Sequence, residues 1–311
     1  MSRITRMQKT KILVTGGAGF IGSNITAELL GRGFEVHVID DLFTGKRELV
    51  PKEATFHQAD IRDFTKLLEI FEKVRPEKVY HLAAHSRVRT SIDDPLDSLT
   101  RNVVGTQNVL EASRQSGVKR LVFTSSSAVY GTPKEAPFHE DMQVIPESPY
   151  GVHKYAAEML CRLYSDLYEL PTVIVRCFNA YGLNQPPQGA NAVVIPIFLS
   201  QRKAGQPMTV LGDGNQSRDF IHISDLIEGI IQAMENKMLG QAEVINLGSG
   251  VPISVKKIVE LIRGPVQYKE AAAEQLHTWA DITKAKKLLN WEPTVRLEDE
   301  IGKYKKEWGI E

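Results

Sequence analysis

The chain has 311 residues, of which 42% are hydrophobic, enough for two domains or for one large α/β unit with an attached lobe. Lysine plus arginine equals aspartate plus glutamate at 38 each, and this zero net charge argues against nucleic acid or an anionic membrane surface as a partner. Two cysteines, Cys161 and Cys177, make no disulfide framework, and no stretch approaches ~20 apolar residues. We therefore expect a cytoplasmic protein with no signal peptide and no membrane span.

The first half of the chain alternates short apolar runs with amphipathic stretches. Strands are predicted at residues 12–15, 36–39, 79–82, 121–124 and 173–175, and helices at 22–30, 64–74, 102–117 and 150–170. Because the strands are apolar on both faces, they indicate a parallel sheet covered by helices on both sides. The predicted fold is α/β, a Rossmann-like doubly wound parallel sheet with a smaller α/β C-terminal lobe.

The regular alternation of predicted strands and helices ends after Gly182. Residues 184–189 form a loop by composition, and the remainder mixes short helices and strands. Residues 1–182 are therefore predicted to form the sheet domain and 183–311 mainly a substrate-binding lobe. Parts of 219–250 are expected to return to the first domain.

A glycine-rich turn follows the first predicted strand, with Gly16, Gly19 and Gly22 leading into a helix. Glycine lets the backbone approach a dinucleotide pyrophosphate at a helix N-terminus, because it has no Cβ to clash. The alternative is a tight strand-to-helix turn without a ligand. The next strand ends in Asp40 and Asp41, where a carboxylate accepts hydrogen bonds from the adenosine ribose and repels a 2′-phosphate. The pattern therefore favours NAD over NADP.

Tyr150 and Lys154 are spaced i and i+4 at the start of a long predicted helix, which places them on one face. The neighbouring ammonium is expected to lower the tyrosine pKa from its reference value near ~10 and to hold the nicotinamide ribose. The serines at 125–127 end an apolar strand, where a parallel sheet presents its ligands. The alternative is a surface Tyr-Lys pair beside a polar strand terminus.

Taken together, these motifs resemble the extended short-chain dehydrogenase/reductase family, in its NAD-dependent epimerase/dehydratase branch. The resemblance spans nearly the whole chain in the family's order. It rests on residues 15–22, 60–63, 81–84, 102–106, 125–131, 148–151 with Lys154, 176–182, 218–222, 246–250 and 280–285.

The resemblance, added to the motifs, implies a catalytic set, an NAD site and a nucleotide-sugar site without a metal. The catalytic residues are Ser126, the base Tyr150 and its partner Lys154. The NAD site comprises Gly16, Gly19, Phe20, Ile21, Gly22, Asp40, Asp41, Leu42, Phe43, Thr44, Gly45, Asp60, Ile61, Leu82, Ala83, Ala84, Asn102, Ser125, Tyr150, Lys154 and Phe178. The substrate site comprises Ser86, Arg87, Ser126, Tyr150, Asn179, Val193, Val194, Thr209, Val210, Leu211, Arg218, Thr278 and Asp281.

The residues after Ser126 separate two reactions of the branch. Family dehydratases carry Asp-Glu directly after the catalytic hydroxyl, whereas this chain has Ser127 and Ala128. Without an acid there, β-elimination lacks its proton shuttle. The resemblance then implies 4-epimerisation of a UDP-hexose through a transient 4-keto sugar, with NAD held tightly and regenerated.

Three positions bear on which sugar is expected, and a fourth bears on how the diphosphate is held. Thr278 is small at a position where bulky residues in related enzymes exclude N-acetyl groups, so N-acetylhexosamines are expected to fit as well as hexoses. Asn179 favours neutral hexoses over uronic acids, but Arg87 could pair with a carboxylate and keeps UDP-glucuronate 4-epimerisation as an alternative. Ala271 falls where relatives usually carry an arginine on the diphosphate, and loss of that guanidinium would weaken substrate binding. Either another cation such as Lys269 compensates, or the loop is altered.

Other hypotheses on the same fold are a 4-ketoreductase that releases its nicotinamide product and a non-catalytic NAD-sensing regulator. The resemblance also implies a homodimer, built on the predicted helices 102–117 and 150–170 as a four-helix packing.

Overall fold

The structure is a computed structural model that describes residues 9–133, 135–186, 194–270 and 277–310. Its strands are β1 Lys11–Thr15, β2 Glu35–Asp40, β3 Thr55–Gln58, β4 Lys78–His81, β5 Arg120–Ser126, β6 Thr172–Cys177, β7 Asn179–Tyr181, β8 Met208–Leu211, β9 Ser217–His222, β10 Gln241–Leu247, β11 Pro252–Ser254, β12 Val266–Lys269 and β13 His277–Thr278. Its α-helices are α1 Phe20–Gly31, α2 Phe64–Val74, α3 Val88–Asp93, α4 Pro95–Leu99, α5 Gly105–Gln115, α6 Pro149–Tyr168, α7 Val194–Lys203, α8 Ile223–Glu235, α9 Val255–Ile262, α10 Thr283–Leu289 and α11 Leu297–Glu307.

The main sheet confirms the predicted Rossmann-like class. Across the described residues, seven strands run parallel in the order β10-β6-β5-β4-β1-β2-β3. The chain fills the sheet outward from β1 on one side, then crosses over and fills it outward from β4 on the other. The order thus reverses between β1 and β4, and in such sheets a ligand crevice opens at this point beyond the carboxyl ends of the strands.

Alternation along each central strand divides the core between the two faces of this sheet. Ile12 and Val14 pack on the face covered by α1 and α8, while Leu13 packs on the opposite face with α2, α5 and α6. All three side chains are fully buried, and each contributes about 1.5–3 kcal/mol of hydrophobic free energy. The strands that carry the crevice are therefore held from both sides.

Capping residues fix the start of α6, the helix that carries the Tyr-Lys pair. Ser148 accepts a hydrogen bond from the Gly151 amide at 3.1 Å, and Pro149 occupies the first turn, where its missing N–H costs nothing. Tyr150 and Lys154 consequently lie in the first two turns, next to the end of β5, which packs against this helix.

Three features of the first half differ from the sequence prediction. The predicted helix 102–117 is a π-helical turn, Thr100–Val104, that leads into α5, and wider turns of this kind are frequent at functional sites. The edge strand β3 was not predicted, because its half-exposed sequence Thr-Phe-His-Gln carries no apolar run. The short helices α3 and α4 were also missed, since each spans fewer than two turns.

The described residues of the C-terminal part form two small sheets around a separate core. β9 pairs with β7, β11 and β13, and β8 pairs with β12. β10, by contrast, lies at the edge of the main sheet beside β6. The domain boundary after residue 182 stays a prediction. Within the described ranges no helix is both long and apolar enough to span a bilayer.

Candidate active site

A cleft of about 540 Å³ opens beyond the carboxyl ends of the main strands, where the strand order reverses. It brings together most of the residues predicted from the sequence. On the cofactor side it is lined by Gly16, Gly19, Phe20, Ile21, Gly22, Asp40, Asp41, Phe43, Thr44, Asp60, Ile61, Leu82, Ala83, Ala84, Ser125, Tyr150, Lys154 and Phe178. On the sugar side it is lined by Ser86, Arg87, Ser126, Tyr150, Asn179, Arg218 and Thr278.

The glycine turn forms a backbone cradle that side chains would fill. Gly16 has φ +74°, and a Cβ there would lie 2.6 Å from the Ala83 amide nitrogen. A Cβ on Gly22 would lie 2.0 Å from the Gly16 carbonyl oxygen. Immediately after this turn α1 begins, and its first-turn N–H groups have no partner within the helix. The cradle therefore suits a dinucleotide pyrophosphate.

Asp40 ends β2 with its carboxylate fixed by the backbone. One oxygen accepts the Leu42 amide at 2.8 Å and the other accepts the Ala18 amide at 2.9 Å. Burial raises the pKa of Asp40, and these two hydrogen bonds oppose that rise. Each oxygen keeps a second lone pair, so the carboxylate fits a pair of ribose hydroxyls.

Ser126, Tyr150 and Lys154 meet at the centre of the cleft. The Ser126 hydroxyl lies close enough to the Tyr150 oxygen to influence its pKa, and Lys154 Nζ donates to the Thr124 carbonyl at 2.8 Å. Tyr150 and Lys154 are both buried. Two neighbouring hydroxyls and a buried cation therefore line the same cleft.

The expected lowering of the tyrosine pKa by Lys154 is not what the structure shows. Burial raises the pKa of Tyr150 to about 12, and the opposing influences come from Ser126 and the Arg87 charge. Burial also lowers the pKa of Lys154 to about 8. The prediction considered only the charge of the neighbouring lysine, whereas removal from water is the larger effect here.

A buried ion pair between Glu158 and Arg176 lies next to Ser125, at the end of the strand that carries Ser126. Glu158, one turn after Lys154, accepts the Ser125 hydroxyl at 2.5 Å and both Nε and Nη2 of Arg176, at 3.0 and 2.7 Å. The pair ties α6 to the ends of β5 and β6. Neither charged residue was singled out from the sequence.

On the sugar side, polar side chains come from short strands. Asn179 follows β6 and donates to the Asp219 carbonyl at 3.0 Å. Arg218 on β9 and Thr278 on β13 are direct register partners, so the two residues sit at the same level of the cleft wall. Arg87 lies close enough to Tyr150 for their charges to interact.

Several predicted residues lie outside this cleft. Leu42 and Gly45 belong to the turn beneath Asp40, and Asn102 instead holds the loop at His85 through hydrogen bonds of 2.7 and 3.1 Å. The predicted substrate residues Val194, Thr209, Val210, Leu211 and Asp281 do not line it either. Val210 is buried in the lobe core. Val193 and Ala271 fall outside the described residues.

Other cleft residues were missed by the sequence reasoning. They include Arg101, Phe138, Cys177 and Gln185. Arg101 directly precedes the matched motif at 102–106, so its position was the available signal. Among the described residues no group of three or more His, Cys, Asp or Glu side chains has the geometry to hold a metal ion.

Comparison with known proteins gives one consistent family. The sequence model of the NAD dependent epimerase/dehydratase family matches residues 12–248. The chain is 40% identical over 307 residues to the UDP-glucuronate 4-epimerase of Thermodesulfobacterium geofontis, covering 92% of each chain. It is 37% identical over 301 residues to a putative UDP-glucose 4-epimerase of Methanocaldococcus jannaschii, covering 93% of this chain and 95% of the relative.

A solved structure extends the likeness to three dimensions. The UDP-glucose 4-epimerase of Thermus thermophilus, solved in complex with NAD, superposes with a TM-score of 0.89 at 34% identity. The match covers 96% of this chain and 99% of that one.

Proposed function

The chain belongs to the NAD-dependent epimerase/dehydratase family, and from that premise we propose that it interconverts UDP-glucose and UDP-galactose through a transient 4-keto sugar. The relatives support an NAD-dependent nucleotide-sugar 4-epimerase, and the choice of UDP-glucose and UDP-galactose is the proposal. The observation that carries the proposal is the contact between Ser126 and Tyr150 in a cleft shared with the NAD cradle.

The two hydroxyls suit proton transfer at the sugar O4. Tyr150 would take the proton of the 4-hydroxyl and return it, while Ser126 keeps both oxygens in hydrogen-bonding range. Because the pKa of Tyr150 stands at about 12, its phenolate needs a nearby cation. Arg87 lies close enough for its charge to act on Tyr150, and Lys154 lines the same cleft one helical turn further along α6. The glycine cradle and Asp40 would hold NAD, which would supply the reversible hydride acceptor.

The two residues after Ser126 favour epimerisation over elimination of water. Ser127 and Ala128 begin the short 3₁₀ helix after Ser126 and both line the cleft. No acid stands at these two positions, so a leaving hydroxyl would find no proton donor there.

An assay without added cofactor tests the proposal. Purified protein should interconvert UDP-glucose and UDP-galactose, and denaturation should release NAD from it. Turnover that requires stoichiometric added NADH would instead indicate the 4-ketoreductase. Bound NAD with no conversion of UDP-glucose, UDP-galactose, UDP-glucuronate or a UDP-N-acetylhexosamine would support the NAD-sensing regulator.

UDP-glucuronate is a second candidate substrate, favoured by one specific observation. Arg87 lies in the cleft beside Tyr150, where its guanidinium could pair with a sugar carboxylate. The 40% identical relative is named a UDP-glucuronate 4-epimerase. If UDP-glucuronate is the substrate, Arg87→Ala should raise KM for UDP-glucuronate more than for UDP-glucose. Arg89, exposed on α3, offers a matched control as Arg89→Ala.

We also propose a homodimer. Val152, Met159, Leu163 and Leu167 form an exposed apolar stripe along α6, with between 37% and 63% of each residue accessible. Such a stripe is typical of an interaction surface. Sedimentation should give a dimer that Leu163→Glu converts to a monomer, and a wild-type monomer at micromolar concentration would contradict it. A cytosolic location fits the two free, buried cysteines and stays a prediction that cell fractionation would test.

A further inference from the structure

A segment at the adenosine end of the cleft is fastened by contacts that the predicted chemistry does not require. It runs from Asp41 to Gly45 and follows β2. Its base is held by the backbone, since Lys46 donates to the Ala18 carbonyl at 2.9 Å. Asp41, Phe43 and Thr44 line the cleft, and Phe43 is 52% exposed. The segment therefore borders the cleft and presents a half-exposed aromatic ring there.

Arg101 holds the tip of this segment. Its Nη1 donates to Asp41 Oδ2 at 2.6 Å, and its guanidinium carbon lies 3.7 Å from the centroid of the Phe43 ring. The Arg101 side chain is only 14% exposed and also lines the cleft. Since the guanidinium is largely shielded from water, its stacking on the ring and its ion pair are stronger than at an open surface.

Asp97 on α4 forms a second ion pair with Arg101, in addition to the one with Asp41. It accepts Arg101 Nε at 2.8 Å and Arg62 Nη1 at 3.1 Å, and it lies 3.2 Å from His85 Nδ1. The His85 ring in turn meets the edge of Phe43, with centroids 5.3 Å apart. Arg101 is thus held in one orientation before any ligand arrives.

These contacts join the two walls of the crevice. Asp41 and Phe43 follow β2, whereas Arg101 and Asp97 belong to the connection after β4, and β2 and β4 flank β1 on opposite sides. A dinucleotide seated between the walls, with its ribose at Asp40, would leave past this bridge. Opening the bridge requires breaking the ion pair to Asp41 and the stack on Phe43 together.

We propose that Arg101 is a positioning residue for cofactor retention: by bridging Asp41, Phe43 and Asp97 it latches segment 41–45 over bound NAD and slows its release. The role concerns the cofactor alone and is independent of which sugar the enzyme accepts. It gives a physical basis for a cofactor that stays bound through many turnovers.

The rate of cofactor release tests the latch. Protein loaded with NADH is chased with excess NAD, and the loss of bound NADH fluorescence gives the dissociation rate. Arg101→Ala should release NADH about tenfold faster, the size expected for one shielded cation–π contact and one ion pair. The matched control is Arg32→Ala, because Arg32 on the far end of α1 also bridges two carboxylates, Glu28 and Glu228. The control should keep the wild-type rate.

A double-variant cycle separates a latch from a direct contact between Arg101 and the cofactor. If the guanidinium acts through the ring, Phe43→Leu should release NADH faster, and the Phe43→Leu, Arg101→Ala double variant should be no faster than the faster single variant. Arg101→Lys, which keeps the charge but loses the planar face, should give an intermediate rate and guards against a folding defect in the alanine variant. Unchanged release in Arg101→Ala, an equal change in Arg32→Ala, or multiplicative effects in the double variant would each overturn the proposal.

Discussion

The cofactor side and the sugar side of the cleft are built from different materials. On the cofactor side, the groups that line the cleft are backbone atoms of the glycine turn and a carboxylate, Asp40, that two amides hold at the end of a strand of the seven-stranded main sheet. On the sugar side, they are long or polar side chains such as Arg218, Asn179 and Thr278 on strands of a separate small sheet. Cofactor choice is therefore tied to the main fold, whereas sugar choice depends on single side chains that can change without altering the sheet.

The largest expected effect on turnover is at Tyr150, which lines both the cofactor side and the sugar side of the cleft. Tyr150→Phe removes the only phenolic oxygen among the described residues of the cleft wall, so kcat should fall about 10²–10⁴-fold, the range for general acid–base catalysis. Substrate binding measured by calorimetry should change little, because the ring remains. Turnover close to wild type would show that Tyr150 is not the proton-transfer residue and would contradict the proposed mechanism.

A substitution on the cofactor side should act on the cofactor alone. Asp40→Asn keeps a hydrogen-bond acceptor for one of the two amides, replaces the other oxygen with an NH2 donor, and removes the charge that is proposed to face the ribose. NAD affinity should fall about 10–100-fold, and discrimination against NADP should relax. Titration with both cofactors measures this, with Asp63→Asn, an exposed helix cap on α2, as the control. Cofactor selectivity that does not move would show that the ribose site was misplaced.

The pH dependence of turnover tests whether the charge of Lys154 is needed for catalysis. Burial lowers the pKa of Lys154 to about 8, so the ammonium is fully present below that pH and is lost as pH rises through it. If the charge is required to stabilise the Tyr150 phenolate, kcat/KM should fall about tenfold for each pH unit above ~8. In Lys154→Arg the guanidinium stays charged, so this alkaline limb should disappear even where the rate is lower. A wild-type profile that stays flat to about pH 9.5 would contradict the requirement.

The smallest and most selective effect is expected on the sugar side. Thr278→Tyr should narrow the cleft and reduce kcat/KM for UDP-N-acetylhexosamines about tenfold while sparing the unsubstituted hexoses, within the range that one pocket contact provides. Competition assays with both substrate pairs give the ratio directly, and Thr278→Ser serves as the control that keeps the pocket open. An equal loss for both kinds of sugar would dismiss Thr278 as a gate.

The two sides also differed in how much of them the sequence could predict. The glycine turn, Asp40 and the Tyr150–Lys154 pair are encoded by neighbours in sequence and by one strand-helix junction each, so local pattern located them in the cleft. Val210 was predicted on the substrate side but is buried in the lobe core, since the alternation of a short strand does not reveal which face meets the ligand. The Arg101 bridge and the Glu158–Arg176 pair join residues that are distant in sequence, and only the folded chain brings them together.

The predicted tyrosine pKa was wrong for a related reason. The spacing of Tyr150 and Lys154 predicted a shared helix face, but their degree of burial depends on β5, β6 and the loops packed around α6. Burial of Tyr150 raises its pKa to about 12, an effect that no local motif contains.

The fate of the hydrogen on the sugar C4 tests the central claim most directly. If C4 is oxidised and then reduced by the same bound NAD, UDP-[4-²H]glucose incubated in ordinary water should yield UDP-galactose that keeps its deuterium at C4, as read by mass spectrometry and NMR. Replacement of that deuterium by solvent hydrogen would contradict the account, because it would mean that C4 loses a proton to water instead of transferring a hydride to an enclosed cofactor.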